Sequence, residues 1–228
     1  MTPESYIVCG SKSWNRRVFD DSISTMPGIW HFFSTKEELT VAALKKIQPR
    51  YIFFLHWSWI VPREIADSYE CVNFHMTDLP YGRGGSPLQN LILLGKTETV
   101  LTAHRMTEEV DAGPVYLKKP LSLEGTAQHI FERSSETAAM MIATIIRDHP
   151  QSIPQTGSVV LFKRRTPAQS AIPDGLSPEK LYDFIRMLDA DGYPVAFAHE
   201  KGFRYELRNA RVVDGRVAAD VSIFPDSP

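Results

Sequence analysis

The run Tyr51-Ile-Phe-Phe-Leu55 most constrains what this chain can fold into. Five apolar residues in succession leave no polar face, so a strand built from them is buried on both sides, as in a mostly parallel sheet covered by helices. The flanking pattern agrees. Ser5–Cys9, Gly28–Phe33 and Cys71–Val72 read as further strands. Between them come a helix from near Arg16, a helix opened by Ser34-Thr35-Lys-Glu-Glu38 and running through Ile47, and a short helix from Pro62. Glu98–Met106 alternates like an antiparallel strand, Gly113–Lys118 reads as its hairpin partner, and a long helix spans Gly125-Thr126 to about Ile146. The expected fold is α/β: a Rossmann-like, mostly parallel sheet with helices on both faces over residues 1–165, followed by a small C-terminal α+β unit over 166–228. That unit comprises a helix capped by Ser177 and running through Leu188, with short strands at Val195–Phe197, Phe203–Leu207 and Ala210–Val213.

If Cys71–Val72 is a strand, Asn73 and His75 lie at its carboxyl end, where open α/β sheets bind ligands. Residues i and i+2 of an extended segment share a face, so the two side chains enter the crevice together. Leu79-Pro80 then turns the chain, and Gly82-Arg83-Gly84-Gly85 lets backbone approach a ligand. Ser86 suits a helix N-cap, Pro87 the first helical position and Gly95 the helix end. Asp111, in Asp111-Ala-Gly113-Pro114, falls in the loop between the two antiparallel strands. Amide, imidazole and carboxylate around a glycine-rich loop suit acyl transfer: donors answer charge developing on oxygen, and the His-Asp pair moves protons.

Other chemistries find little support. No Gly-x-Gly-x-x-Gly follows the first strand, so dinucleotide binding is not inferred. There is no nucleophile elbow, which favours direct transfer. His56, His75 and His104 lack partners at ligand spacing, so no metal is expected. A net charge of −2 and a pI near 6.4 give no general attraction to nucleic acid. Cys9 and Cys71 sit in apolar segments, consistent with buried thiols and a cytoplasmic location. The N-terminus has no secretory pattern, and the run Tyr51–Val61, broken by His56 and Ser58, is too short to span a membrane. Lys163-Arg164-Arg165 reads first as a solvated basic face, with a phosphate contact as the sharper reading.

The pattern Asn73-x-His75-x-Thr77-x-Leu79-Pro80, then Arg83-Gly84 and Pro87, then Thr102-Ala-His104-Arg-Met106 leading into Asp111-Ala-Gly113-Pro114-Val115, resembles the formyltetrahydrofolate-dependent formyltransferase family. The likeness covers about residues 5–160; Thr77 departs from a position where the family often has Ser. It implies an enzyme using N10-formyltetrahydrofolate as co-substrate without a metal, with Asn73, His75 and Asp111 stabilising the tetrahedral intermediate and moving protons. It assigns His56, Trp57, Leu79, Arg83, Gly84, Pro87, Val110 and Gly113 to the folate, and Lys12, Trp14, Asn15, Thr77 and Tyr81 to the acceptor. The plainer readings, Trp57 and Trp59 as core residues and Trp14 packed under a solvated turn, stand beside these assignments. The acidic balance, short C-terminus and aromatic first loop, Gly10-Ser-x-Ser-Trp14-Asn15, favour a nucleotide-linked amino sugar as acceptor. A UDP-4-amino-4,6-dideoxy sugar of the L-AltNAc type, as in pseudaminic acid pathways, is the expectation, with neither nucleic acid nor membrane as partner and with a homodimer allowed. The alternatives are methionyl-tRNA or glycinamide ribonucleotide as acceptor, or a silent folate- or nucleotide-binding module. Residues after Ser177, with the pair Ile185-Arg186, resemble the opening of the second domain of longer formyltransferases.

Overall fold

A computed structural model describes residues 3–226. In chain order it contains β1 (Ser5–Gly10), α1 (Ser13–Asp21), β2 (Ile29–Phe33), α2 (Val41–Ile47), β3 (Tyr51–Leu55), α3 (Arg63–Ser68), β4 (Cys71–His75), β5 (Tyr81–Gly84), α4 (Pro87–Leu93), β6 (Glu98–Arg105), β7 (Val115–Ser122), α5 (Ala127–Asp148), β8 (Val160–Phe162), α6 (Pro178–Arg186), β9 (Ala196–Glu200), β10 (Phe203–Val213) and β11 (Arg216–Pro225). The chain divides into two compact units. One holds the residues up to Gly84 with Thr99–Leu121 and Glu132–Leu161; the other holds Gly85–Glu98, Ser122–Phe131 and the residues from Phe162 onward.

The first unit is built on a six-stranded sheet in the order β2-β1-β3-β4-β6-β7. β2, β1, β3 and β4 run parallel, and β6 pairs antiparallel with β4. Every residue of β3 is at most 3% exposed, as its unbroken apolar run requires. Ile7, Cys9, Ile52, Phe54 and Cys71 pack on one face against Leu39, Leu44 and Ile65. Burying each large side chain contributes about 1.5–3 kcal/mol, so this layer fixes the register of the strands that carry polar residues at their ends. Among the described residues no helix is long and apolar enough to cross a membrane.

Three helix starts differ from the sequence reading, the first being α1, which begins at Ser13 rather than near Arg16 and so carries Trp14 and Asn15. Residues Ser34–Glu38 do not begin a helix: the Glu38 carboxylate accepts from the Ser34 amide (2.6 Å), the Ser34 hydroxyl (3.1 Å) and the Thr35 amide (2.9 Å), closing a local turn. α2 starts later, where the Thr40 hydroxyl accepts from the Ala43 amide at 3.2 Å. Ser86 precedes α4 in a left-handed conformation (φ 52°) and does not cap it; its hydroxyl accepts instead from the Arg165 amide at 3.0 Å.

The second unit contains α4, α6 and a three-stranded sheet ordered β11-β10-β9. Ser177 caps α6 as expected, accepting from the Lys180 amide. The two short strands read at 203–207 and 210–213 are one strand interrupted by a bulge between Arg208 and Arg211. Asn209 there takes a φ of 52°, and its amide donates to the Asp189 carboxylate at 2.7 Å. β11 escaped the sequence reading because Val217-Ala-Ala-Asp-Val-Ser222 lacks steady alternation.

Candidate active site

β4 brings Asn73 and His75 to the carboxyl edge of the parallel strands, as their spacing requires. β6 runs beside it in the opposite direction, and Asn73 is paired across the ladder with His104. The loop between β6 and β7 then returns Asp111 to the same place. Asp111 Oδ2 accepts from the Gly84 amide (3.0 Å) and lies 3.5 Å from His75 Nδ1, while Oδ1 accepts from Asn73 Nδ2 (3.3 Å). Gly84 has a φ of 105°, a conformation open to glycine, and this aims its N–H at the carboxylate. Asp111 itself sits at φ 55°, which costs about 1 kcal/mol or more in a non-glycine residue and needs fixing by its surroundings.

Acceptor-only neighbours decide the histidine tautomers. His75 Nε2 lies 2.8 Å from the Gly82 carbonyl, so that nitrogen carries a hydrogen. His104 Nδ1 lies 3.0 Å from the Arg105 carbonyl and donates to it, leaving Nε2 to accept from Asn73 Nδ2 at 3.1 Å. Both hydrogens of the Asn73 amide are therefore engaged, to His104 and Asp111, whereas its Oδ1 makes no hydrogen bond among the described residues.

Burial on its own pushes the Asp111 carboxyl up, but the His104 and His75 rings, which act on it in their charged forms, and the Gly84 N–H outweigh it and hold it at about 2. For His75 burial dominates and lowers its pKa, against the opposing pull of Asp111 and the Gly82 carbonyl. The resting site is an ionised carboxylate beside a neutral imidazole. A carboxyl held at about 2 rather than 3.8 is worth about 2 kcal/mol of stability, present above pH 4 and lost as pH falls through 2. Asp111→Asn is expected to remove that segment of the acid-unfolding curve. Identical pH dependence of the two proteins between pH 4 and 2 would contradict the assignment.

The remaining candidates divide. Arg83 is only 11% exposed at its side chain and is engaged: Nε and Nη2 donate to Gln155 Oε1 (3.1 and 2.9 Å) and Nη1 pairs with Glu109 (3.0 Å). Gly113 packs against the Arg105 carbonyl. Thr77 is fully buried, its hydroxyl turned to the Gly82 carbonyl at 3.4 Å; Leu79, joined to Pro80 by a cis peptide, is buried too. Tyr81 opens β5, and Val110 is 68% exposed beside Asp111. Gly82 to Gly84 complete this side of the site.

Asn15 is corrected. It is fully buried, accepting from the Lys12 amide (3.1 Å) and donating to Ser135 on α5 (3.0 Å), so it fastens two helices and meets no acceptor. Trp14 is 2% exposed and edge-on to His56, with the Lys12 ammonium 5.8 Å from its ring. Trp57 packs on the core edge-on to Phe54 and Trp59, while Ile60, 95% exposed, gives this loop an open apolar tip. Burial and the Lys12 charge lower His56 to about 4. Pro87 opens α4 in the second unit.

Two site residues were missed. His104 was read as part of the family motif and weighed as a metal ligand but given no role in the site; the Thr102-Ala-His104 alternation beside β4 was the available signal. Nothing in the sequence marked Gln155, which lies beyond α5 and reaches the site through tertiary structure. Among the described residues, no three His, Cys, Asp or Glu side chains group closely enough to hold a metal.

A family model described as "Formyl transferase" matches residues 24–145, and one described as "Methionyl-tRNA formyltransferase, C-terminal domain" matches 167–224. The methionyl-tRNA formyltransferase of Thermodesulfovibrio yellowstonii is 26% identical over 196 residues, covering 82% of this chain; the chain spans 63% of that relative and 50% of the one from Bacillus mycoides. The solved methionyl-tRNA formyltransferase from Clostridium thermocellum is 41% identical, with a TM-score of 0.92 over 97% of this chain and 99% of that one. A sugar N-formyltransferase from Shewanella sp FDAARGOS_354 shares the fold (TM-score 0.68, over 92% of this chain and 99% of that one) at 17% identity.

These relatives overturn the nucleotide-sugar acceptor expected from sequence and, with it, the expectation of no nucleic-acid partner. Net charge misled because it sums the whole surface, whereas nucleic acid meets a local patch. Lys163, Arg164 and Arg165 form no ion pair among the described residues. A short C-terminus was no guide either, since the Clostridium thermocellum protein is matched over nearly its full length.

Proposed function

Because this chain belongs to the formyl transferase family, we propose that it transfers the formyl group of N10-formyltetrahydrofolate to the amino group of methionyl-tRNA. The observation that carries the acceptor is the 41% identity to the Clostridium thermocellum methionyl-tRNA formyltransferase across nearly the whole of both chains. The donor set fits the co-substrate. An ionised carboxylate, a neutral imidazole and an amide meet at one sheet edge, and the loop after β3, with its exposed Ile60, leaves the same edge one strand away and offers apolar surface to a flat heterocycle. N10-formyltetrahydrofolate supplies the electrophilic formyl carbon.

The chain's own residues supply orientation and proton movement. Asn73 Oδ1, free in the resting site, accepts an N–H of the incoming amine and holds its lone pair toward the formyl carbon. The proton shed on attack ends on His75 Nδ1, the ring nitrogen without a hydrogen, where Asp111 at 3.5 Å stabilises the imidazolium. As Asp111 turns to that imidazolium it releases the Asn73 N–H, whose bond to it at 3.3 Å is the longer of the two. The freed N–H answers the charge developing on the formyl oxygen, and when the intermediate collapses the bond from the formyl carbon to N10 breaks and the proton on His75 Nδ1 passes to N10, releasing tetrahydrofolate.

Lys163, Arg164 and Arg165 are the phosphate contacts of this reading. The test is a mass-spectrometric assay with the formyl donor and methionyl-tRNA, free methionine or glycinamide ribonucleotide, and the expected result is a formyl gain on the tRNA-linked methionine alone. A gain on glycinamide ribonucleotide instead would replace the acceptor. Replacing all three basic residues by alanine is expected to flatten the salt dependence of tRNA binding by about 2 in log–log slope. An unchanged slope would remove this run from the interface.

A further inference from the structure

Gln155 touches no atom that reacts, yet its side chain fastens the loop of residues 111–113 to Arg83 on β5. Its Nε2 donates to the Asp111 and Gly113 carbonyls, both at 2.8 Å. Its Oε1 accepts from Arg83 Nε and Nη2 at 3.1 and 2.9 Å. The amide can face only this way, because carbonyls accept and a guanidinium donates. The segment carrying it is itself anchored, since Ile153 and Val115 exchange backbone hydrogen bonds of 2.8 Å at the start of β7.

Asp111 needs such an anchor. Its backbone is in the left-handed region at φ 55°, and its carboxylate must serve Asn73, Gly84 and His75 at once. The peptides that follow Asp111 and Gly113 are pinned by one amide, which fixes how the loop presents the carboxylate. Arg83, held between Gln155 and Glu109, ties the strand that carries the Gly84 amide to the same point.

We infer that Gln155 is a positioning residue for formyl transfer, acting through Asp111 and Arg83. This rests on the function proposed above. Loss of the anchor would lower turnover more than donor binding, because the Asp111-His75 geometry matters most when the proton moves. Gln155→Glu separates the two halves of the clamp: a carboxylate still accepts from Arg83 but turns acceptor against two carbonyls. Gln155→Ala removes both halves.

The experiment pairs kinetics with a carbon-13 NMR titration of the Asp111 carboxyl in the substrate-free protein, its resonance assigned with Asp111→Asn. Expected for Gln155→Glu are a kcat lowered about 30-fold or more, a donor KM within threefold, and an Asp111 carboxyl that titrates above its wild-type position of about 2. Gln155→Ala is expected to do the same and to release Arg83. A variant that loses thermal stability while kcat and the Asp111 titration stay at wild-type values would overturn the inference. The titration needs no acceptor, so a shifted carboxyl in a protein that formylates no tRNA would uphold the inference and sink the acceptor assignment instead.

Discussion

Replacing His75 by alanine is expected to lower formyl transfer by about a thousandfold while leaving affinity for the formyl donor within tenfold. General acid-base groups contribute roughly 10²–10⁴ in rate, and His75 is the side chain of the site whose Nδ1 is ready to take a proton. Tenfold in affinity is about 1.4 kcal/mol, close to the loss of one hydrogen bond and far below the kinetic effect. His75 is 7% exposed and its Nε2 supports the Gly82 carbonyl, so alanine also loosens the glycine-rich loop. His75→Gln separates these contributions: its amide can donate to Gly82 but cannot titrate. Turnover lost in both variants, with the loop restored only by glutamine, is the expected pattern. Equal loss of turnover and donor affinity in both would remove His75 from the chemistry. Because burial lowers the His75 pKa, the acid limb of kcat/KM is expected below the ordinary histidine value of about 6.5, with activity falling as pH drops through it.

Gly113→Ala is the second large effect. A Cβ built there would lie 1.8 Å from the Arg105 carbonyl oxygen and 2.9 Å from its carbon. Both are backbone atoms at the end of β6, so nothing flexible can yield. That oxygen is also the acceptor of His104 Nδ1, and moving it disturbs the histidine that receives the Asn73 amide. The expected cost is about 3 kcal/mol or more, a fall in Tm of about 6–12 °C for a chain of this size, together with loss of transfer activity. Gly95→Ala is the contrast: nothing lies within 4 Å, and only its φ of +72° resists a side chain, at about 1 kcal/mol. If Gly113→Ala unfolded no more readily than Gly95→Ala, the loop could not be packed as described.

The parallel part of the main sheet was legible because β3 is an unbroken apolar run and short apolar segments separated by helix signals flank it. Asn73, His75 and Asp111 were legible as a trio because strand ends and a glycine-rich loop leave chemical punctuation. The structure brings all three together, yet it spends both Asn73 hydrogens inside the protein, which residue spacing could not reveal. Asn15 was misread for the same reason: a polar residue in a loop-like stretch reads as a contact until burial places it between two helices. Gln155 was invisible because its role depends on where the chain returns after a 22-residue helix. The nucleotide-sugar expectation, which the relatives overturn, arose when a whole-chain charge was used to argue against a tRNA substrate.

The clamp by Gln155 also bears on synthesis. The match to the formyl transferase model ends at residue 145, so a piece cut there would contain Asn73, His75, His104 and Asp111 but lack the amide that pins the carboxylate loop. On the ribosome the same holds in time. In the proposed mechanism Asn73, His75 and Asp111 are made before the residue that fastens the Asp111 loop, so a nascent chain stalled before residue 155 holds the reacting side chains without the clamp.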